Sequence, residues 1–160
     1  MLGREDLNGA HFKATMKPMD TGEIRLRMKP GPALEMRTKA VHVTKATEFG
    51  WQGQFHCHRH QFEFYAVVSG IIGSVSWNRE TGKILQREWR SCSRFWFHLD
   101  WWHDIYTTPG SEFITVQSAE PGVDVEADRE VLPQSEIPSD VVQAQTHIAQ
   151  SVQRSYRGVT

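Results

Sequence analysis

The sequence predicts an all-β domain, a sandwich or barrel of short strands with an N-terminal arm and one C-terminal α-helix. Three observations predict it. Between Lys39 and Ser118, segments rich in aromatic and β-branched residues recur at regular spacing, with turn signals between them. Several of these segments alternate apolar and polar residues, the period of a strand with one face buried. After Ser139 the apolar residues change to helical spacing.

Taken in order, residues 1–22 are polar and turn-rich and read as an arm, and Glu23–Arg27 (EIRLR) reads as a first edge strand. KPGPALEM, Lys29 to Met36, is expected to break regular structure, because Pro30 and Pro32 lack amide donors and fix φ. AVHVTK (40–45) and GQFHCH (53–58) alternate, and FEFYAVVSG (62–70) is a longer strand. IIGSVSW (71–77) and KILQREW (83–89) flank the polar turn NRETG and should form a hairpin. SRFWFHL (93–99), HDIYTT (103–108) and EFITVQS (112–118) complete the strands. EVLPQSEIP (130–138) reads as irregular. A helix is expected over about 139–156, capped by Ser139 or Asp140 and ended by Gly158. Its stripe Val141, Ala144, Ile148 and Val152 would pack on the outside of the barrel or on a second subunit. The expected organisation is an arm over 1–38, a barrel over 39–118 and an extension over 119–160.

A length of 160 residues suits one domain, and 39% hydrophobic with 23% charged residues suits a folded one. The net charge of −1 argues against a nucleic-acid partner, and a single helix cannot make a helix-turn-helix. No apolar run approaches a membrane span, and the N-terminal residues show no signal-peptide pattern, so a cytoplasmic protein without a membrane partner is expected. Cys57 and Cys92 then read as reduced thiols.

The chemistry concentrates in GWQGQFHCHRHQFEFYAVVSG, residues 50–70. Residues two apart in a strand face the same way, so His56 and His58 share a face and Cys57 takes the other. Glu63 follows a turn over Arg59–Phe62, and antiparallel pairing is expected to set it opposite the histidines. Two imidazoles and a carboxylate suit iron, manganese, nickel, cobalt or zinc. His103 is the natural fourth ligand from a neighbouring strand, with Ile105 and Thr107 on its face.

At Gly50, His56, His58, Glu63 and Gly70 the spacing resembles the first motif of the cupin superfamily. The segment from His98 to His103 resembles the second, which usually reads Pro-x-Gly-x-x-His; His98 replaces the proline, Asp100 the glycine, and Thr107 stands where asparagine is common. The resemblance spans about Lys39 to Ser118. It implies a cupin-type jelly-roll β-barrel and a metal held by His56, His58, Glu63 and His103, with coordination positions left open.

Glu63 and Tyr65 are the catalytic candidates, Tyr65 because it alternates with Glu63 toward the interior and can serve as acid or hydrogen-bond donor. His60 reads as a surface or rim residue, His98 as a pocket-mouth or backbone-bonding residue, and Asp104 as outward. Trp101 and Trp102 wall the cavity or join two subunits. Arg87 and Arg94 lie on the surface or hold an anionic substrate. The first functional reading is a non-haem Fe(II) dioxygenase acting on a small oxygen-rich metabolite. The alternatives are a sugar isomerase or epimerase, for which manganese, zinc, nickel or cobalt also serve, and a non-catalytic small-molecule-binding cupin. A homodimer is expected through EIRLR, the arm, or the outward row Phe62, Phe64, Ala66 and Val68.

Overall fold

The computed structural model describes residues 11–16, 23–29, 33–119, 122–124 and 127–158, with side chains from residue 40 onward. Two antiparallel sheets face each other. Sheet A runs β1 (His11–Met16), β2 (Glu23–Lys29), β3 (Ala33–Lys45), β11 (Glu112–Ala119), β6 (Gln61–Ser69) and β9 (Arg94–Phe97). Sheet B runs β12 (Arg129–Val131), β5 (His56–His58), β10 (Trp101–Thr107), β7 (Ile71–Asn78) and β8 (Ile84–Arg90), and β4 (Gly50–Trp51) pairs with β10. Among the described residues one α-helix, α1 (Ser139–Arg157), follows a 3-10 turn at Gln134–Glu136.

The expected hairpin forms: β7 and β8 pair from Ile71↔Arg90 to Trp77↔Ile84, and the turn is held by the Asn78 side chain, which accepts the Thr81 amide at 2.8 Å. β6 and β7 meet at Gly70, whose φ of +78° suits glycine, and where a Cβ would lie 2.8 Å from the Ser111 Cα.

The inner faces meet in an aromatic core of Tyr65, Phe95, Phe97 and Phe113 with Ile72 and Ile105. On the outside of sheet B, α1 buries Val141, Ala144, Ile148 and Val152, the expected stripe, against Val75, Trp77, Trp102 and Tyr106. The helix therefore covers its own barrel. It approaches closely because β7 carries Gly73, where a Cβ would sit 2.9 Å from both Ile148 Cγ1 and Val152 Cγ2. Its N-cap is Pro138 rather than Ser139 or Asp140; Asp140 in the first turn accepts the Val141 amide at 2.9 Å and puts negative charge at the positive helix end. Gly158 ends it.

Several local expectations are corrected. His11–Met16, inside the expected arm, is a strand, while residues 1–10 and 17–22 lie outside the described residues. Lys29 belongs to β2 and Ala33–Met36 to β3, so most of the expected break is strand; residues 30–32 also lie outside the described residues. EIRLR is no edge: β2 is flanked by β1 and β3. Arg129–Val131 reaches back to pair with β5, so the segment expected to be irregular starts with a strand residue pair, Glu130 and Val131. Of the row expected to face outward, Phe62 is buried and Val68 is exposed.

Candidate metal centre

Sheet B supplies the three histidines. β5 carries His56 and His58, β10 lies beside it, and His103 stands directly opposite His56. Glu63 does not come from a strand paired with β5. It sits on β6 in sheet A and reaches the histidines across the barrel, because β6 pairs with β11 and β9. The expected convergence therefore holds by sheet-to-sheet packing rather than by strand pairing.

The ligand atoms of His56, His58, Glu63 and His103 all lie within 4.8 Å of one another. The Nε2 atoms stand 3.9, 3.5 and 3.3 Å from the Glu63 carboxylate for His56, His58 and His103. The His56 side chain is 12% exposed and faces the cavity. His58, Glu63 and His103 are buried.

Neighbouring groups aim these atoms. His56 Nδ1 donates to the Gln54 carbonyl at 2.7 Å and His103 Nδ1 to the Trp101 carbonyl at 2.8 Å. Each bond fixes the ring through Nδ1 and turns Nε2 inward, toward Glu63. Phe97 stacks on the His103 ring at 4.0 Å and 13°. Glu63 accepts from Tyr65 Oη at 2.7 Å and Gln117 Nε2 at 2.9 Å, Gln117 standing opposite it on β11. The Gln61 amide nitrogen lies 3.1 Å from His58 Nδ1, and its buried Oε1 has no hydrogen-bond partner among the described residues. The Asp128 carboxylate, 4.0 Å from His58 Nδ1, accepts the amides of Arg59 and His60.

The electrostatics suit a cation. Burial and the neighbouring His103 push His56 down to about 3, so its imidazole is neutral and free to ligate at neutral pH. Burial alone would raise Glu63, but hydrogen bonds from His103, His58 and Gln117 hold it well below the usual carboxylate range. Burial and then the Glu63 charge raise the Tyr65 phenol well above its ordinary value, so it remains a donor. Three imidazoles and one carboxylate are a donor set that borderline divalent ions accept, and the residues present fit such an ion.

No protein-family model matches the chain, and no curated protein sequence matches it. Its shape does have counterparts. The dTDP-4-dehydrorhamnose 3,5-epimerase of Sulfolobus tokodaii superposes with a TM-score of 0.50 at 14% identity, over 82% of this chain and 93% of that one. An oxalate decarboxylase variant of B. subtilis gives 0.50 at 12%, over 90% of this chain and 37% of that one. BH2720 of Bacillus halodurans gives 0.44 at 17%, over 56% of this chain and 65% of that one. The chain has a cupin fold.

Within this cupin barrel the second-motif segment keeps its turn despite its substitutions. Asp100, in the glycine position, adopts φ +61°, a left-handed conformation that aspartate tolerates better than most residues. Its amide donates to the His58 carbonyl at 2.8 Å, tying the loop before His103 to the other histidine strand. Thr107, in the asparagine position, donates to the Gly50 carbonyl at 3.1 Å and accepts Gln52 Nε2 at 2.8 Å.

A cavity of about 300 Å³ opens onto His56, Glu63 and His103. Tyr65 lines it as expected. Asp104, expected outward, is buried and also lines it beside Gly53, and burial pushes the carboxyl up to about 7. His60 is exposed and lies outside the cavity wall. His98, Trp101 and Arg87 line a separate small recess between β8 and β9, and Trp102 packs beneath α1. Neither Arg87 nor Arg94 reaches the metal cavity; the arginine in its wall is Arg129. Gln61, Gln117 and Arg129 escaped sequence reading. Strand alternation in EFITVQS would have put Gln117 inward beside Phe113 and Thr115, whereas no local pattern marks Arg129.

Proposed function

We propose that this cupin is a metal-dependent enzyme acting on a small oxygen-rich metabolite. The observation that carries the reading is the buried His56–His58–Glu63–His103 set opening onto one cavity. A bound ion would supply Lewis acidity, and iron would add redox chemistry. The chain's own residues do the rest. His56, His58, His103 and Glu63 would hold the ion. Tyr65 and Gln117 fix the Glu63 carboxylate by donating to it, and Tyr65 keeps its proton while doing so. Gln52, Thr44 and Thr115 give the cavity hydroxyl and amide groups with which to orient substrate oxygens. Phe97 and Phe113 keep the inner side dry.

Oxygen-dependent oxidation at Fe(II) is the first reading of the reaction, because three imidazoles and one carboxylate with open positions suit substrate chelation. The polar cavity wall favours isomerisation or epimerisation of a sugar-like carbonyl compound as the second. The test is metal content per chain by inductively coupled plasma mass spectrometry, on untagged protein purified without chelator. About one ion per chain is expected. In Glu63→Gln, metal affinity should fall by more than the ~10–100-fold typical of losing a supporting partner. Iron with substrate-dependent oxygen uptake supports the oxygenase; activity with manganese, zinc, nickel or cobalt in the absence of oxygen supports the isomerase. Protein that takes up no metal on incubation refutes the enzyme reading.

A further inference from the structure

The metal cavity contains a cationic group that its ligand set does not explain. Arg129 lies outside the cupin motifs, on β12, where pairing with β5 sets it directly opposite His58. Residues opposite each other in an antiparallel pair share a face, so Arg129 projects on the side of the metal ligands, and its side chain lines the cavity that His56 and His103 line. The guanidinium rests over Gly53: a Cβ there would lie 3.3 Å from Arg129 Nη2. Asp104 stands on the same side of Gly53 and attracts the guanidinium by charge, while its Oδ1 accepts the Ile105 amide at 2.7 Å.

We propose that Arg129 is the specificity-determining residue of this cavity and that the substrate is a small carboxylic acid. Its carboxylate would meet the guanidinium, and a neighbouring hydroxyl or carbonyl oxygen would face the His56–Glu63–His103 wall. Arginine presents a planar fork of N–H donors that matches a carboxylate in two parallel hydrogen bonds. A volume of about 300 Å³ suits a compact acid. The other ionisable groups lining the cavity are His42, at the exposed rim, the metal-site residues, Tyr65 and Asp104. Among the described residues lining the cavity, Arg129 is the one arginine or lysine, and it stands beside Gly53 at the exposed rim, where an incoming anion meets it first. This inference rests on the metal-site reading for its second contact, but its first contact is independent of it.

The experiment is calorimetric titration of the full chain, loaded with manganese(II) under nitrogen, with glycolate, pyruvate and malate, each compared with the neutral probes glycolamide and hydroxyacetone. The acids are expected to bind at least about 10-fold more tightly than the neutral probes. Arg129→Gln should weaken acid binding by ~10–100-fold, with Arg129→Lys recovering part of it. Manganese content and the thermal midpoint should stay at parental values in both variants. Equal binding of acids and neutral probes, or acid binding unchanged in Arg129→Gln, overturns the proposal while leaving the metal reading intact. Should the protein take up no manganese, the metal reading fails, and the same titrations on metal-free protein decide the role of Arg129 by the same criteria.

Discussion

Sheet B presents one face to α1 and the other to the barrel interior, and strands β7 and β10 feed both. From β10, Trp102 and Tyr106 go to the helix side, while His103, Ile105 and Thr107 go inward. From β7, Val75 and Trp77 go to the helix and Ser74 and Ser76 go inward. Both faces are buried, yet they are built differently. The helix face is held by interdigitating apolar groups, which dispersion and water exclusion reward without regard to direction. The inner face carries polar atoms, each of which needs an aimed partner: Nδ1 on a carbonyl, Glu63 on two side-chain donors. One face should therefore respond to volume and the other to hydrogen-bond geometry.

The largest expected effect tests the helix face. In Gly73→Leu the Cβ alone falls 2.9 Å from Ile148 and Val152, and the rest of the side chain must lever α1 off the sheet. A loss of about 3 kcal/mol is expected in urea unfolding. The folded fraction should still bind metal with parental affinity, because the ligands sit on the other face. Metal affinity that falls in step with stability would show that the two faces act as one unit.

The converse change is Tyr65→Phe. The ring keeps its stacking on Phe95, at 5.0 Å and 6°, while the donor to Glu63 Oε2 and the acceptor for the Thr115 hydroxyl are removed. Stability should change by about 1 kcal/mol, whereas metal affinity should drop by about 10-fold. Equilibrium competition against a fluorescent chelator measures it. A variant that loses stability but not affinity would make Tyr65 a core residue and nothing more.

These two faces also explain how far the sequence could be read. Alternation located nearly every barrel strand, because a strand with sides of different character repeats every two residues. That His56, His58, Glu63 and His103 cluster was legible because imidazole and carboxylate are costly to bury unless something pairs them, so their appearance within strands carries information. What pairs with what across the barrel was not legible. Glu63 was expected beside β5 and instead faces it from sheet A, since sheet-to-sheet contacts leave no mark in local spacing. Asp104 was expected outward, but it is buried beside Gly53 and Arg129, from segments about 50 and 25 residues away, which local alternation does not announce. Arg129 depends on a return of the chain after the barrel closes, which no periodicity announces.

The smallest perturbation tests whether the helix face is sealed. Cys57 lies between His56 and His58 but points the other way, into the apolar cluster beneath α1, and is 2% exposed. Burial, followed by the charge of Glu130, pushes its thiol up to about 11, so little thiolate forms at pH 8. Cys92, in the turn between β8 and β9, is exposed. A disulfide reagent at pH 8 should therefore titrate one thiol rapidly in the native protein and the second only after unfolding. Adding metal should leave both rates unchanged, although the cysteine is flanked by two ligands. In Gly73→Leu the slow thiol should become reactive, because lifting α1 uncovers the side of β5 on which Cys57 sits. If Cys57 reacts rapidly in the unaltered protein, or metal protects it, then the ligand strand is not insulated between its two faces. Packing beneath the helix would then have to be counted as part of the metal centre.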